Sequence, residues 1–212
     1  HSDSRSCPHH GPCHALHRFP TMLTGGDGAD LIASGPGDDA LMRLQTALQT
    51  DRFRVYRNQD LLGVELCGAM KNVMALAAGI ADGLGYGDNA KAAILSRGIV
   101  EMQRYGLACG ADPHTFFGLA GVGDLAVTAF SKYGRNRAFG ELIGKGQTLE
   151  QALRSSPKVA EGVWTAKVLA AEIAKRGVEM PIAVAVWRVL YEGMSPEQAV
   201  AELMERDPKA EA

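Results

Sequence analysis

From Val64 onward apolar and polar residues alternate with a helical period, and the polar punctuation places most of the ends. Val64–Ala81 is apolar nearly all the way round, which predicts a helix buried on most of its faces. Asp88 suits the cap of a helix running to about Cys109, with Gly110 after its end, and Asp112-Pro113 has the favoured order for the next start. Thr148-Leu-Glu-Gln151 fits a capping box ahead of a helix to about Arg154, and Gly162–Arg176 is closed by Gly177. Pro181–Glu192 carries Ile182, Val186, Val189 and Leu190 at helical spacing, and Ser195-Pro-Glu-Gln198 opens a last helix expected to bury Ala199, Leu203 and Val200. No fixed-period repeat links these segments, so a solenoid is disfavoured and one all-α body is expected.

Upstream the pattern changes. Asp30–Ser34 and Phe53–Tyr56 read as short strands, and Asp38–Leu48 between them sets Leu41, Leu44 and Leu48 on one helical face, giving a small βαβ unit. Residues 1–28 hold five of the six histidines, Pro20 and Gly25-Gly26-Asp27-Gly28 without hydrophobic periodicity, and read as irregular. Within them Cys7, His9, His10, Cys13, His14 and His17 are ligand types that zinc or nickel takes, but they lack any finger spacing. The plainer reading is an extension with adventitious metal affinity, and no metal site is expected.

Charge narrows the function classes. The 22 Lys and Arg against 24 Asp and Glu give a net charge of -2, without the basic excess that nucleic acid or an anionic membrane surface attracts. The longest apolar stretch, Val73–Ala81, is far shorter than the roughly 20 residues of a bilayer span, and the first residues do not read as a signal peptide. A cytoplasmic protein without membrane insertion is expected. Cys7, Cys13, Cys67 and Cys109 are too few and too uneven for a disulfide scaffold, so reduced thiols are expected.

Chemistry concentrates at two places. Lys71 stands mid-way along the apolar helix with Cys67, Gly68, Met74 and Ala75 one turn away, leaving room beside its ammonium. Burial disfavours a charged lysine and moves it toward the range of general acid–base work, whereas a lysine at a helix edge would simply snorkel to water. Gly121-Val-Gly-Asp124-Leu-Ala-Val-Thr128 matches a dinucleotide fingerprint as a pattern, but the preceding helix start leaves little room for the strand that fingerprint requires. Asp124, Thr128 and the run Arg135-Asn136-Arg137 supply one carboxylate and several anion-binding donors; the rival reading of that run is a solvated face. Gly79–Asn89 reads as a flexible loop, and Glu161 as a first-turn acid favoured by the helix dipole.

Together, Leu62-Gly-Val-Glu-Leu-x-Gly68-Ala-x-Lys71-Asn72-Val73, Gly79-x-x-Asp82-Gly-Leu-Gly-x-Gly87-Asp-Asn-Ala90, Gly118-Leu-Ala-Gly121-x-Gly123-Asp124-Leu125 and Gly134-Arg135-Asn136-Arg137 resemble NAD(P)-dependent sn-glycerol-3-phosphate dehydrogenases in order and spacing. The likeness is read from about Phe53 to the end and takes in Val159–Val163 and Glu179–Ile182. It implies a two-part enzyme, with a Rossmann domain for NAD or NADP followed by an all-helical domain for substrate. The expected fold is mainly α, of the 6-phosphogluconate dehydrogenase C-terminal-like type, after a small α/β remnant. The expected units are an irregular extension at 1–28, a cofactor-domain remnant at 29–60 and the all-α substrate domain at 61–212. The Gly-rich fingerprint and the Ser-Gly-Pro-Thr/Ser-Phe-Ala segment of the family are not found, and Ser34-Gly35-Pro36 lies too close to Phe53 to replace the latter.

Carried over by resemblance, Lys71 exchanges the proton, and Asp124 and Thr128 lie beside the reacting carbon, where the Asp124 carboxylate is expected to orient Lys71 and keep it charged when required. Lys71, Asp124, Gly134, Arg135 and Asn136 hold substrate, with Gly134 where many relatives carry serine. Arg135, Val159 and Glu161 touch the cofactor. The implied reaction interconverts dihydroxyacetone phosphate and sn-glycerol 3-phosphate for glycerophospholipid synthesis, with a homodimer as the expected assembly. The rival expectation is a noncatalytic helical module that binds a phosphorylated ligand or a protein partner.

Overall fold

A computed structural model describes residues 29–35, 37–156 and 160–206. The His/Cys-rich opening with its metal reading, and Val159, lie outside these described residues. β1 (Ala29–Ser34), α1 (Asp38–Leu48) and β2 (Phe53–Asn58) form the expected parallel βαβ unit, in register from Ala29 opposite Phe53 to Ser34 opposite Asn58. Of the three leucines of α1 only Leu41 is buried; Leu44 and Leu48 are nearly half exposed, because a two-stranded sheet covers only part of a helix laid across it.

The rest is helical: α2 (Leu61–Gly83), α3 (Asp88–Cys109), a 3-10 turn (Pro113–Phe117), a π-helical turn (Leu119–Gly123), α4 (Asp124–Phe130), α5 (Arg135–Gly144), α6 (Leu149–Ser155), α7 (Glu161–Arg176), α8 (Pro181–Tyr191) and α9 (Pro196–Met204). Both expected capping boxes form, Thr148 with Gln151 and Ser195 with Gln198, and Gly110 and Gly177 end α3 and α7 in left-handed conformation. Some ends differ. Gly87, without a side chain, precedes α3, and Asp88 is its first residue. Asp112 does act as a cap, accepting from the His114 N–H, but the element it opens is a 3-10 turn and not an α-helix. A 3-10 turn, not a strand, leads directly into the turn that holds Gly121, so the dinucleotide pattern there has no structural basis. In α9 only Ala199 is buried; Val200 and Leu203 are half-buried.

α2 is the axle. Its 23 residues are long and apolar enough, by length and composition, to cross a bilayer, although Val73–Ala81 alone is not. Here it lies in the centre of the bundle, with Cys67, Val73, Met74, Ala75, Leu76 and Ala78 fully buried and α3, α4, α5, α7 and α8 packed around it. Its N-terminus is tied to the turn after α3 by Asp60, whose carboxylate accepts from the Gly63 N–H (2.9 Å), the Asp112 N–H (2.9 Å) and the Thr115 hydroxyl (2.8 Å).

At the other end α2 meets α5 backbone to backbone. A Cβ on Gly79 or Gly83 of α2 would sit 2.0 Å from the Arg137 carbonyl oxygen or 2.4 Å from that of Glu141. One on Gly140 or Gly144 of α5 would sit 2.2 Å from the Leu76 or 2.3 Å from the Ile80 carbonyl oxygen. Two pairs of glycines spaced one turn apart thus let the axes approach closer than any side chain permits. The segment expected as a loop from Gly79 is therefore the last turn of α2, and Asp82 within it is held by Arg137 (2.6 Å) and Lys91 (3.0 Å).

Candidate functional site

Lys71 leaves the middle of α2 with 17% of its side chain exposed and donates a hydrogen bond to Asp124 Oδ2. Asp124 is buried in the first turn of α4, where a carboxylate also suits the helix dipole. The 3-10 and π-helical turns carry Asp124 there: they fold back so tightly that a Cβ on Gly121 would lie 1.9 Å from the Phe116 carbonyl oxygen. The Lys71 side chain therefore neither snorkels alone to water nor sits unpaired. Thr128 lies one turn on; its hydroxyl donates to the Asp124 backbone carbonyl at 2.6 Å and stands 3.4 Å from Asp124 Oδ1, so it braces the carboxylate's own turn. Cys67, one turn before Lys71, is fully buried, and burial, followed by the Asp60 and Asp124 carboxylates, pushes its thiol up to about 12 against the opposing pull of Lys71. It stays a neutral thiol and is no nucleophile.

A second group joins three helices beside this pair. Asn136, buried in the first turn of α5, donates through Nδ2 to Asn72 Oδ1 of α2 (2.9 Å) and accepts at Oδ1 from the Gly162 N–H of α7 (2.9 Å). The Gly162 N–H fixes which end of the Asn136 amide is oxygen. Asn72 donates in turn to the Gly68 carbonyl at 3.3 Å. The N-termini of α5 and α7 are thereby held next to the residue that follows Lys71. The sequence reading does not single out Asn72 as a site residue, although a second polar side chain beside Lys71 in an apolar helix is the available signal.

The Arg135-Asn136-Arg137 run divides into three roles. Arg135 is half exposed and meets Glu161 of α7 at 3.4 Å. Arg137 is mostly buried and serves structure, bonding Asp82, Glu141 and the Ser131 carbonyl. Gly134, preceding α5, provides no side-chain cap, which leaves the first N–H groups of a ten-residue helix without one beside the Arg135 guanidinium. Lys71, Asp124, Thr128, Gly134, Arg135, Asn136 and Glu161 are thus linked through α2, α4, α5 and α7. Three or more His, Cys, Asp or Glu side chains able to share a metal ion do not occur together among the described residues.

Residues 60–201 match the family described as NAD-dependent glycerol-3-phosphate dehydrogenase C-terminus. Over 202 residues the chain is 46% identical to a glycerol-3-phosphate dehydrogenase (NAD(P)+) of Chlorobium limicola, covering 95% of this chain and 59% of the relative. It is 48% identical over 202 residues to one from Salinibacter ruber, covering 95% and 57%. The chain therefore spans about three fifths of the curated relatives it matches, and the likeness begins well upstream of Phe53, where the motifs alone set it. Among solved structures it superposes on a glycerol-3-phosphate dehydrogenase from Coxiella burnetii with a TM-score of 0.78 at 40% identity, over 87% of this chain and 55% of that one. The superposition on one from Saccharomyces cerevisiae gives 0.76 at 26%, over 85% and 55%.

Proposed function

Because the chain belongs to the NAD-dependent glycerol-3-phosphate dehydrogenase C-terminal family, we propose that it binds dihydroxyacetone phosphate and sn-glycerol 3-phosphate and moves the proton in their interconversion. The observation that carries this is the Lys71–Asp124 pair, set beside a helix N-terminus that carries a half-exposed arginine. In the reducing direction the Lys71 ammonium donates a proton to the carbonyl oxygen as hydride reaches the carbon; in reverse the amine accepts the hydroxyl proton. Asp124 holds the ammonium in place and, being buried, offers it a partner that water does not compete for. Arg135 and the first N–H groups of α5 take the substrate phosphate, since a planar guanidinium and a helix N-terminus both favour that anion. Asn136 keeps that helix start in register with Asn72, one residue from Lys71.

A nicotinamide cofactor, NAD or NADP, supplies or takes up the hydride when bound. Among the described residues, those that fit it are Arg135 and Glu161, which present an exposed ion pair at the start of α7, with Val159 two residues before Glu161 in the sequence. We place the reaction in the cytoplasm, in keeping with Cys67 and Cys109 standing outside any disulfide, and take the enzyme as a homodimer serving glycerophospholipid synthesis. The noncatalytic alternative leaves the buried Lys71–Asp124 pair without a use.

The test has two parts. Dihydroxyacetone phosphate titrated into the chain by calorimetry should bind saturably and at least tenfold more weakly to Arg135→Ala. With the cofactor domain of a relative fused upstream, NAD(P)H oxidation should appear and be lost in Lys71→Ala. Turnover that survives Lys71→Ala overturns the proton-transfer role, and dihydroxyacetone phosphate binding indifferent to Arg135→Ala overturns the phosphate assignment.

A further inference from the structure

A concavity of about 510 Å³ lies between α3, α8 and α9 and contains none of the candidate site residues. Its size falls within the range of small-molecule sites. It is graded along α3. Ala90, Ala93 and Ile94 form an apolar wall on one helix face, and Arg97 and Arg104 follow on the same face at helical spacing. From Ala90 to Arg104 the wall runs about 21 Å at 1.5 Å per residue. Leu203 and Met204 of α9 line the groove too, followed by Arg206, and Met204 is 80% exposed.

The charges are unevenly committed. Arg104 donates to the Glu179 carbonyl, and Arg206 pairs with the Glu179 carboxylate. Glu101 also lines the groove, but it is only 3% exposed and its two oxygens accept from the Ile182 and Ala183 N–H groups. Arg97 is exposed and has no acidic partner among the described residues. The groove therefore passes from an apolar stretch to a cluster of guanidinium groups, one of them uncommitted. That gradient complements an apolar chain ending in an anion, because guanidinium binds phosphate or carboxylate through a planar fork and the chain leaves water along the alanine wall. We propose that this groove binds a single-chain anionic amphiphile, with its head at Arg97 and its tail along Ala90, Ala93 and Ile94.

The probe is dodecyl phosphate below its micelle-forming concentration, titrated into the 212-residue chain by calorimetry. Saturable one-to-one binding is expected, at least tenfold tighter than that of dodecanol or of inorganic phosphate. Arg97→Glu should weaken it at least tenfold, as should Ala93→Trp, which fills the wall. Met204→Asp should act the same way from a side chain too exposed to be needed for folding. Arg135→Ala should leave it unchanged, which separates this groove from the candidate phosphate site and keeps the two proposals independently testable. Absence of saturable binding, or binding that survives Arg97→Glu and Met204→Asp, overturns the proposal. So does a dimer in sedimentation that Met204→Asp dissociates and dodecyl phosphate does not, since a second copy would then cover the groove.

Discussion

At the residue scale the Lys71–Asp124 pair sets function against stability. Removing one member of a buried ion pair leaves the other charge without a partner and costs about 3–5 kcal/mol, whereas replacing both by apolar groups of similar shape is often nearly neutral. Asp124 is 4% exposed and Lys71 17%, so the penalty should be larger for Lys71→Met, which strands the deeper charge, than for Asp124→Leu. The double variant Lys71→Met/Asp124→Leu should regain most of the melting temperature lost by either single change, yet show no turnover in the fusion with a cofactor domain. A double variant as unstable as the singles would show that the pair is not what the fold relies on there. The two arginines make a second contrast. Arg137→Ala should lower thermal stability, because Asp82 loses one of its two cations, and should spare dihydroxyacetone phosphate affinity; Arg135→Ala should do the reverse. Lys71 was legible in the sequence because a lysine in an apolar helix is conspicuous. Its partner came through the resemblance alone, which sets the Asp124 carboxylate to orient Lys71; periodicity could not pair them, since Asp124 lies 53 residues away and reaches Lys71 only through two irregular turns. The arginine run looked uniform for the same reason: which guanidinium is buried depends on where α5 meets α2.

At the scale of elements, helix ends with a local cause were readable and helix contacts were not. Thr148 with Gln151, and Ser195 with Gln198, form their caps within four residues of sequence, so the pattern alone places them. Glycine misleads in the opposite way. Gly79 and Gly83 read as breakers, but inside α2 they exist for α5, and only the pairing with Gly140 and Gly144 reveals it. That pairing makes a sharp prediction. A methyl group at position 140 would lie 2.2 Å from the Leu76 carbonyl oxygen, and a backbone carbonyl inside a core helix cannot swing aside as a flexible side chain would. Gly140→Ala should therefore force the helices apart and cost at least the 1–3 kcal/mol typical of overpacking, read as a drop in the urea midpoint. Asn136 precedes Gly140 by one turn on the same helix, so the separation should also break its bond to Asn72 and weaken substrate binding. A Gly140→Ala protein with wild-type stability and affinity would mean that the axes have slack that the structure does not show.

For the whole molecule, composition bounded the classes of partner but said nothing of how distant helices complete one another, and Glu101 shows what was hidden. Met180, at the start of α8, gives no side-chain cap, and the two first-turn N–H groups are satisfied instead by Glu101 of α3, at 2.8 Å to Ile182 and 3.2 Å to Ala183. No capping pattern can reveal a cap that comes from 81 residues away. The cap has a cost, because burial pushes the Glu101 carboxyl up to about 7, outweighing the two N–H groups and the Arg104 and Arg206 charges that pull it down. The folded pKa thus stands above the ordinary value of 4.5, so between these two pH values the folded chain binds more protons than the unfolded one. Stability contributed by this group is then full below about pH 4.5, falls as pH rises toward 7, and is level above; at about 1.4 kcal/mol per unit the whole fall is on the order of 3 kcal/mol. Glu101→Gln cannot ionise but keeps one oxygen for one of the two N–H groups, so it should lose that slope while giving up part of the cap. Urea midpoints measured from pH 4.5 to 8 should therefore decline for the wild type and run flatter for Glu101→Gln, the two curves converging or crossing at the alkaline end. An identical slope in both proteins would assign the pH dependence to other groups and leave Glu101 a cap whose charge does not change.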